Sequence, residues 1–242
     1  MAAKYKILST KILAPSLVEQ AERQAIDIIE QPFISIHPVT DSRTGEEILL
    51  RLNQPAPFYA VFTSANAVEA IAPFLKSAGK TPNWKLFCIE GRTRRTLTAL
   101  TAPENILETA EYGRELAEKI LRHPVKEVVF FCGNRRREEL PSILKQKGVS
   151  VHEIVVYHTV NTPAQLTGSW DGILFFSPSA VDSFFSVNHI DKHTICFAIG
   201  QTTADSIARH TGNTIVVSGS TGQSAILEGV RQYFNDNMNA IK

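Results

Sequence analysis

The sequence predicts an α/β fold made of two doubly wound parallel-sheet domains, one inserted in the other, joined by a two-stranded linker. Three observations carry this. Apolar runs of strand length alternate with helical patterns along the whole chain, which is the mark of parallel sheets covered by helices on both faces. The stretch Phe62-Thr63-Ser64-Ala65-Asn66-Ala67-Val68-Glu69 returns as Phe175-Phe176-Ser177-Pro178-Ser179-Ala180-Val181-Asp182, and Phe87-Cys88-Ile89-Glu90-Gly91 is echoed by Phe197-Ala198-Ile199-Gly200-Gln201, so the chain reads as two related halves. The units are unevenly placed around that repeat: one strand and helix precede its first copy. Joining this N-terminal unit to the C-terminal ones predicts a discontinuous domain, 1–38 with 161–242, and an inserted domain, 39–160, with extended segments 33–39 and 155–160 carrying the chain across.

In order, residues 5–10 predict a strand. Pro15 and Ser16 open a helix with the stripe Leu17, Ala21, Ala25 and Ile28. Residues 33–39 alternate and reach Pro38, which suits an edge strand or a crossing segment. Residues 40–53, polar with Gly45, predict a loop holding a short element, and Pro55 and Pro57 punctuate the entry to the next strand. Strand 58–64, helix 65–76, a loop over 79–83, strand 84–90 and helix 92–100 come next. Then come strand 106–109, helix 113–121, strand 127–132 and helix 134–147, closed by Gly148. Residues 151–160 alternate as one long strand. After Thr162 and Pro163 come strand 172–176, helix 179–185, strand 194–199, helix 202–210, strand 214–217 and helix 222–234, with a polar tail, 235–242, expected to fray.

The bulk chemistry narrows the function. With 242 residues, 43% of them apolar, the chain can build two real cores. A net charge of +1 gives no reason to expect nucleic acid or a membrane surface as partner. The three cysteines, Cys88, Cys132 and Cys196, lie in apolar strand runs and read as buried reduced thiols; no C-x-x-C or histidine spacing suggests a metal. The first residues pass straight into a strand pattern without a signal-peptide core, and no apolar run reaches membrane-spanning length, so a cytoplasmic protein is expected.

No G-x-S-x-G, P-loop or G-x-G-x-x-G motif is present. What recurs is a strand ending in a small hydroxyl residue or glycine, followed by a helix. Parallel sheets bind ligands at such strand ends, where a helix N-terminus offers free N–H groups to an anion. Ser64 and Ser177 stand at two of these ends, and either cap their own helices or face a ligand. Gly200-Gln201-Thr202-Thr203 and Gly219-Ser220-Thr221-Gly222 are further turns of this kind. Arg92, Arg94 and Arg95 after one strand, and Arg135, Arg136 and Arg137 after another, are expected in the first turns of helices on one carboxyl edge, as a solvated rim or as a polyanion-binding surface. Tyr157, in Val155-Val156-Tyr157-His158, is either a packing aromatic or a phenol able to give a proton.

These residues, in order, resemble the uroporphyrinogen-III synthase family: Phe62-Thr63-Ser64 with Ala67-Val68; Cys132-Gly133-Asn134 with Arg137, Glu139 and Leu140; Gly148; Val156-Tyr157-His158-Thr159-Val160; Phe175 to Ser179; and Ala198 to Ala204. The absence of an evident exposed apolar helix face in the sequence leads to the expectation of a monomer, and the resemblance implies a cofactor-free lyase that closes hydroxymethylbilane, a linear tetrapyrrole rich in carboxylates. Loss of the terminal hydroxyl leaves an azafulvene, the far ring attacks through its substituted carbon, and a spiro intermediate fragments and recloses with the last ring inverted, giving the type III isomer. It implies Tyr157 as proton donor and Ser64, Ser177, Gly200, Thr202 and Thr203 as substrate-binding residues. Transient contact with neighbouring tetrapyrrole-pathway enzymes is the implied partnership. At Gly91 the sequence departs from the family pattern: Thr93 falls one place short of the usual threonine and arginines take small positions. A non-catalytic two-lobed binder of an anionic metabolite is the alternative; a nucleotide-using enzyme lacks its phosphate loop.

Overall fold

The computed structural model describes residues 5–78, 82–220 and 222–239. Much of the loop expected over 79–83, Thr221 and the end of the polar tail lie outside them. Two compact units emerge, Met1–Ser35 with Val160–Lys242, and Ile36–Thr159.

Strand β1 (Tyr5–Ser9) buries Ile7 and Leu8 completely. Helix α1 (Pro15–Glu22) starts with proline, whose missing N–H would be unpaired there in any case. The stripe from Leu17 to Ile28 predicts a longer helix than the chain makes. Ala25 enters the left-handed region at φ 60°, and β2 (Ile26–Glu30) begins, burying Ile26 and Ile28 around an exposed Asp27. That alternation is a strand period, and β2 pairs in parallel with β1, Ile28 opposite Ile7.

After β3 (Ile34–Pro38) the expected loop is a full helix, α2 (Ser42–Asn53). The Asp41 carboxylate accepts from the Thr44 N–H at 2.9 Å, a cap, and Ile48 and Leu52 bury one helical face. Gly45 suggests a loop in the sequence, but it serves packing: a Cβ there would lie 3.4 Å from the Phe74 ring. The chain continues with β4 (Phe58–Phe62), α3 (Ala65–Ala78), β5 (Trp84–Ile89), α4 (Arg92–Thr98), β6 (Ile106–Ala110), α5 (Gly113–Ile120) and β7 (Glu127–Gly133). Helix α6 (Glu139–Gln146) begins five residues later than the sequence suggests. Pro141 is the reason: proline is tolerated in a first turn, whereas in a helix started at Asn134 it would strike the carbonyl of Arg137.

Long β8 (Ser150–Asn161) leads to β9 (Gly172–Phe175), α7 (Pro178–Phe185), β10 (Ile195–Ala198), α8 (Gln201–Ala208), β11 (Ile215–Val217) and α9 (Gln223–Asn239). The discontinuous unit holds a sheet ordered β11-β10-β9-β1-β2, parallel throughout its described pairs. One face packs on α1 and α9 through Ala21, Ile226 and Val230, the other on α7 and α8 through Val181, Phe184 and Ile207. The inserted unit's sheet runs β3-β8-β7-β4-β5-β6. Ile48, Val68, Ile71 and Leu97 of α2, α3 and α4 cover one face, and Leu116, Ile120, Leu140 and Leu144 of α5 and α6 the other. Strands β3 and β8 run antiparallel: Val39 N–H meets Val156 C=O and Thr162 N–H meets Phe33 C=O, so one number falls as the other rises. This is the two-stranded connection between the units.

Candidate active site

Each sheet has one point where the strand order reverses. It lies between β1 and β9 in the discontinuous unit and between β4 and β7 in the inserted one. Connections leave in opposite directions there, and the carboxyl ends of the strands at such a point are where sheets of this kind bind ligands. Ser177 follows β9 and Ser64 follows β4, so both serines of the repeat stand at these points.

Both serines cap. Ser64 Oγ accepts from the Asn66 N–H and Ser177 Oγ from the Ala180 N–H, each at 3.2 Å. Acceptance leaves each hydroxyl hydrogen free to donate outward, so capping and ligand contact are compatible. Phe175 pairs with Ala198, which puts Ser177 level with Gly200, the extended residue that opens α8. Behind Gly200, Thr202 is exposed and Thr203 buried, 3% exposed.

In the inserted unit, Phe62 pairs with Phe131 and Gly133 with Tyr157, so Ser64, Gly133 and Tyr157 share one edge on three neighbouring strands, β4, β7 and β8. Tyr157 is half-buried. Among the described residues its phenol oxygen has no hydrogen-bond partner, while its backbone C=O accepts from the Asn134 N–H at 3.2 Å.

The arginines separate into kinds. Arg92 pairs with Glu69 at 2.6 Å and Arg94 with Glu90 at 3.0 Å, both in the first turn of α4 as the sequence suggests. Thr109 also donates to Glu90; that hydrogen bond, then the Arg94 charge, hold the Glu90 carboxyl below its usual value. Arg135, Arg136 and Arg137 lie in the loop before α6, which corrects the expectation of a helical first turn. Arg136 binds Glu153 and Glu138. Arg95 and Arg137 are exposed, and among the described residues neither guanidinium has a partner. Burial pushes the Cys88, Cys132 and Cys196 thiols up to about 12, so none is a thiolate nucleophile near neutral pH.

Two residues at these edges have no role in the sequence reading, and a third, Asn134, enters it only within the Cys132-Gly133-Asn134 motif. Thr10, just past β1, donates both its N–H and its Oγ1–H to Leu174 C=O and ties the two strands of the reversal point together. Lys11 follows it, its Nζ 5.9 Å from the centre of the Phe176 ring. A polar pair directly after the first strand of a parallel sheet is the signal that marks Thr10 and Lys11.

A profile of the family described as uroporphyrinogen-III synthase HemD matches residues 15–228. Among solved structures, a mutant uroporphyrinogen III synthase of the extremely thermophilic bacterium Thermus thermophilus superposes with a TM-score of 0.67 at 12% identity, covering 97% of this chain and 99% of that one. The uroporphyrinogen-III synthetase of Helicobacter pylori does so at 0.62 and 19%, covering 95% and 99%. At such identities the structures speak for the fold, two α/β domains with one inserted in the other. The profile speaks for descent, and because it spans nearly the whole chain, this protein belongs to the uroporphyrinogen-III synthase family.

Proposed function

We propose that this chain performs its family's reaction with Tyr157 as proton donor and with the carboxyl edge of each sheet as a substrate-binding surface. The reaction is that of a cyclising lyase: hydroxymethylbilane loses water and closes to uroporphyrinogen III, the last pyrrole ring inverting through a spiro intermediate. The observation that carries the activity is the family match over residues 15–228. It disfavours the non-catalytic binder.

The Tyr157 phenol protonates the departing hydroxyl, which leaves as water. The azafulvene that remains is attacked by the far ring at its substituted carbon. Fragmentation and reclosure invert that ring, and the proton then lost from it restores the phenol. None of these steps needs a strong nucleophile. They need a flexible polyanion held in one fold, which orientation and fixed donors supply. Ser64 and Ser177 offer hydroxyl hydrogens, and the turn at Gly200 and Thr202 offers N–H groups of a helix start, while the Thr203 N–H already donates to Gly200 C=O and Thr203 can serve through its side chain. We read the reaction as cofactor-free, since proton transfer and orientation suffice for it. Among the described residues no helix is long and apolar enough to cross a membrane. We propose a cytoplasmic monomer that meets neighbouring pathway enzymes only transiently.

The test is incubation with freshly prepared hydroxymethylbilane and separation of the oxidised product isomers. Type III product must dominate; type I product formed at the enzyme-free rate overturns the reading. Tyr157→Phe should slow type III formation by on the order of 10²-fold with the fold intact. A wild-type rate in that variant, with unchanged melting, would remove Tyr157 from the role.

A further inference from the structure

Tyr157 is not where strand alternation would put it. Along β8, Ile154 and Val156 belong to the core beneath α2 and α3, while Val151 and Val155 belong to the core on the opposite face. Period-two alternation assigns Tyr157 to the face of Val155. Its ring packs instead with the core of Ile154 and Val156. The cause lies in the ladder: Cys132 pairs with Val155, but Gly133 pairs with Tyr157, so β8 carries one extra residue at that step. Such a bulge breaks alternation and re-aims the next side chain, and bulges gather beside active sites for this reason.

The re-aimed ring comes to rest on Gly133. A Cβ on Gly133 would stand 2.4 Å from Tyr157 Cζ, 2.6 Å from Cε2 and 2.8 Å from Oη. Real Cβ atoms do not approach so closely, so no other residue fits there with the ring in place. Backbone conformation does not demand this glycine, for its φ lies outside the left-handed region. The reacting end of the side chain, Cζ and Oη, lies over the glycine. With no hydrogen bond at Oη among the described residues, packing alone fixes the phenol. Asn134 secures the backbone where β8 leaves the bulge: its N–H donates to Tyr157 C=O at 3.2 Å, and its Oδ1 accepts from Thr159 N–H at 2.8 Å.

We propose that Gly133 and Asn134 are positioning residues that set the phenol of Tyr157 for proton transfer, Gly133 as a seat for the ring and Asn134 as a clamp on the bulge. This rests on the reading of Tyr157 as proton donor. It gives the Cys132-Gly133-Asn134 segment a task beyond ending a strand.

Gly133→Ala pushes the ring off its seat, and the expected loss in kcat is on the order of 10²-fold, the usual penalty for displacing a reacting group by about 1 Å. KM should change far less than kcat, because the displacement acts on the phenol and leaves Ser64 and the rest of that edge in place. The deciding measurement is the double variant. If Gly133 acts only through the phenol, Gly133→Ala combined with Tyr157→Phe turns over as slowly as Tyr157→Phe alone. A second reading is independent of turnover: in protein labelled with 3-fluorotyrosine, the fluorine resonance that disappears in Tyr157→Phe should shift in Gly133→Ala. Should Gly133→Ala fail to fold, Asn134→Ala takes its place, and Asn134→Asp, which keeps the acceptor for Thr159 N–H, should recover most of the rate that Asn134→Ala loses. A wild-type kcat in Gly133→Ala beside a slow Tyr157→Phe overturns the inference and leaves the donor reading standing, as do losses that multiply in the double variant. A wild-type kcat in Tyr157→Phe overturns the donor reading itself, and this inference with it.

Discussion

At the scale of single residues, charge pairing decides which cations can serve the substrate. Arg136 already spends its charge on Glu153 and Glu138, and Lys145 reaches Glu153 at 3.1 Å, so this guanidinium braces the loop before α6. Arg95 and Arg137 are exposed and, among the described residues, have no carboxylate of their own. Exposed cations raise the encounter rate of a polyanion, and salt screens them. Arg95→Gln with Arg137→Gln should therefore weaken apparent substrate affinity modestly at low ionic strength and hardly at all at high salt. The share of type III product should not change, because steering does not choose which carbon attacks. Arg136→Gln should instead lower the melting temperature. Kinetics of the Arg95 and Arg137 pair taken at low and high salt check this, and unchanged low-salt kinetics would return both arginines to a plain solvated rim.

At the scale of elements, helix α2 shows how a cap makes a helix out of polar sequence. Its register depends on Asp41, whose carboxylate accepts from Thr44 N–H, and that hydrogen bond holds the Asp41 pKa below its usual value. The folded-state pKa is the lower one. The stabilisation is thus fully present above the ordinary aspartate range and is lost as the pH falls through the lowered value. Asp41→Ala should reduce the unfolding free energy at neutral pH and make little difference in strong acid, where the wild-type carboxyl is protonated as well. Denaturant midpoints for both proteins across that pH range test it, and equal midpoints at neutral pH would mean that Ile48, Leu52 and the His152–Glu47 contact at 2.6 Å hold α2 without the cap.

At the scale of the whole molecule, the two sheets follow one plan. The inserted unit reads β8-β7-β4-β5-β6 inside its linker strand, and the discontinuous unit reads β2-β1-β9-β10-β11. Strands β1 and β2 hold the places that β7 and β8 hold in the other unit, so the repeat is whole in space although the chain is permuted across the insertion. The inserted unit is one continuous segment, Ile36–Thr159, with apolar cores on both sheet faces. Expressed alone, residues 36–159 should unfold cooperatively with near-ultraviolet circular dichroism intact, yet form no type III product, since the edge with Ser177 and Gly200 is missing. A fragment without fixed aromatic signals would show that this unit needs the rest of the chain to order its core.

The sequence by itself determined the architecture and the family. Strand and helix periods are local properties, and the Ser64–Ser177 repeat survives as a string of letters. It misled where a local pattern has two readings: Ala25 and Ile28 continue a helical stripe as readily as they close a helix and begin β2, and Gly45 looks like a loop until the Phe74 ring is seen beside it. Only the tertiary structure decided the chemistry at the edges. The bulge that turns Tyr157 over Gly133, the Glu153 pairing that occupies Arg136 and spares Arg137, and the placing of Thr10 beside Leu174 all join residues of different elements. Such contacts depend on strand order and register, which no local spacing encodes.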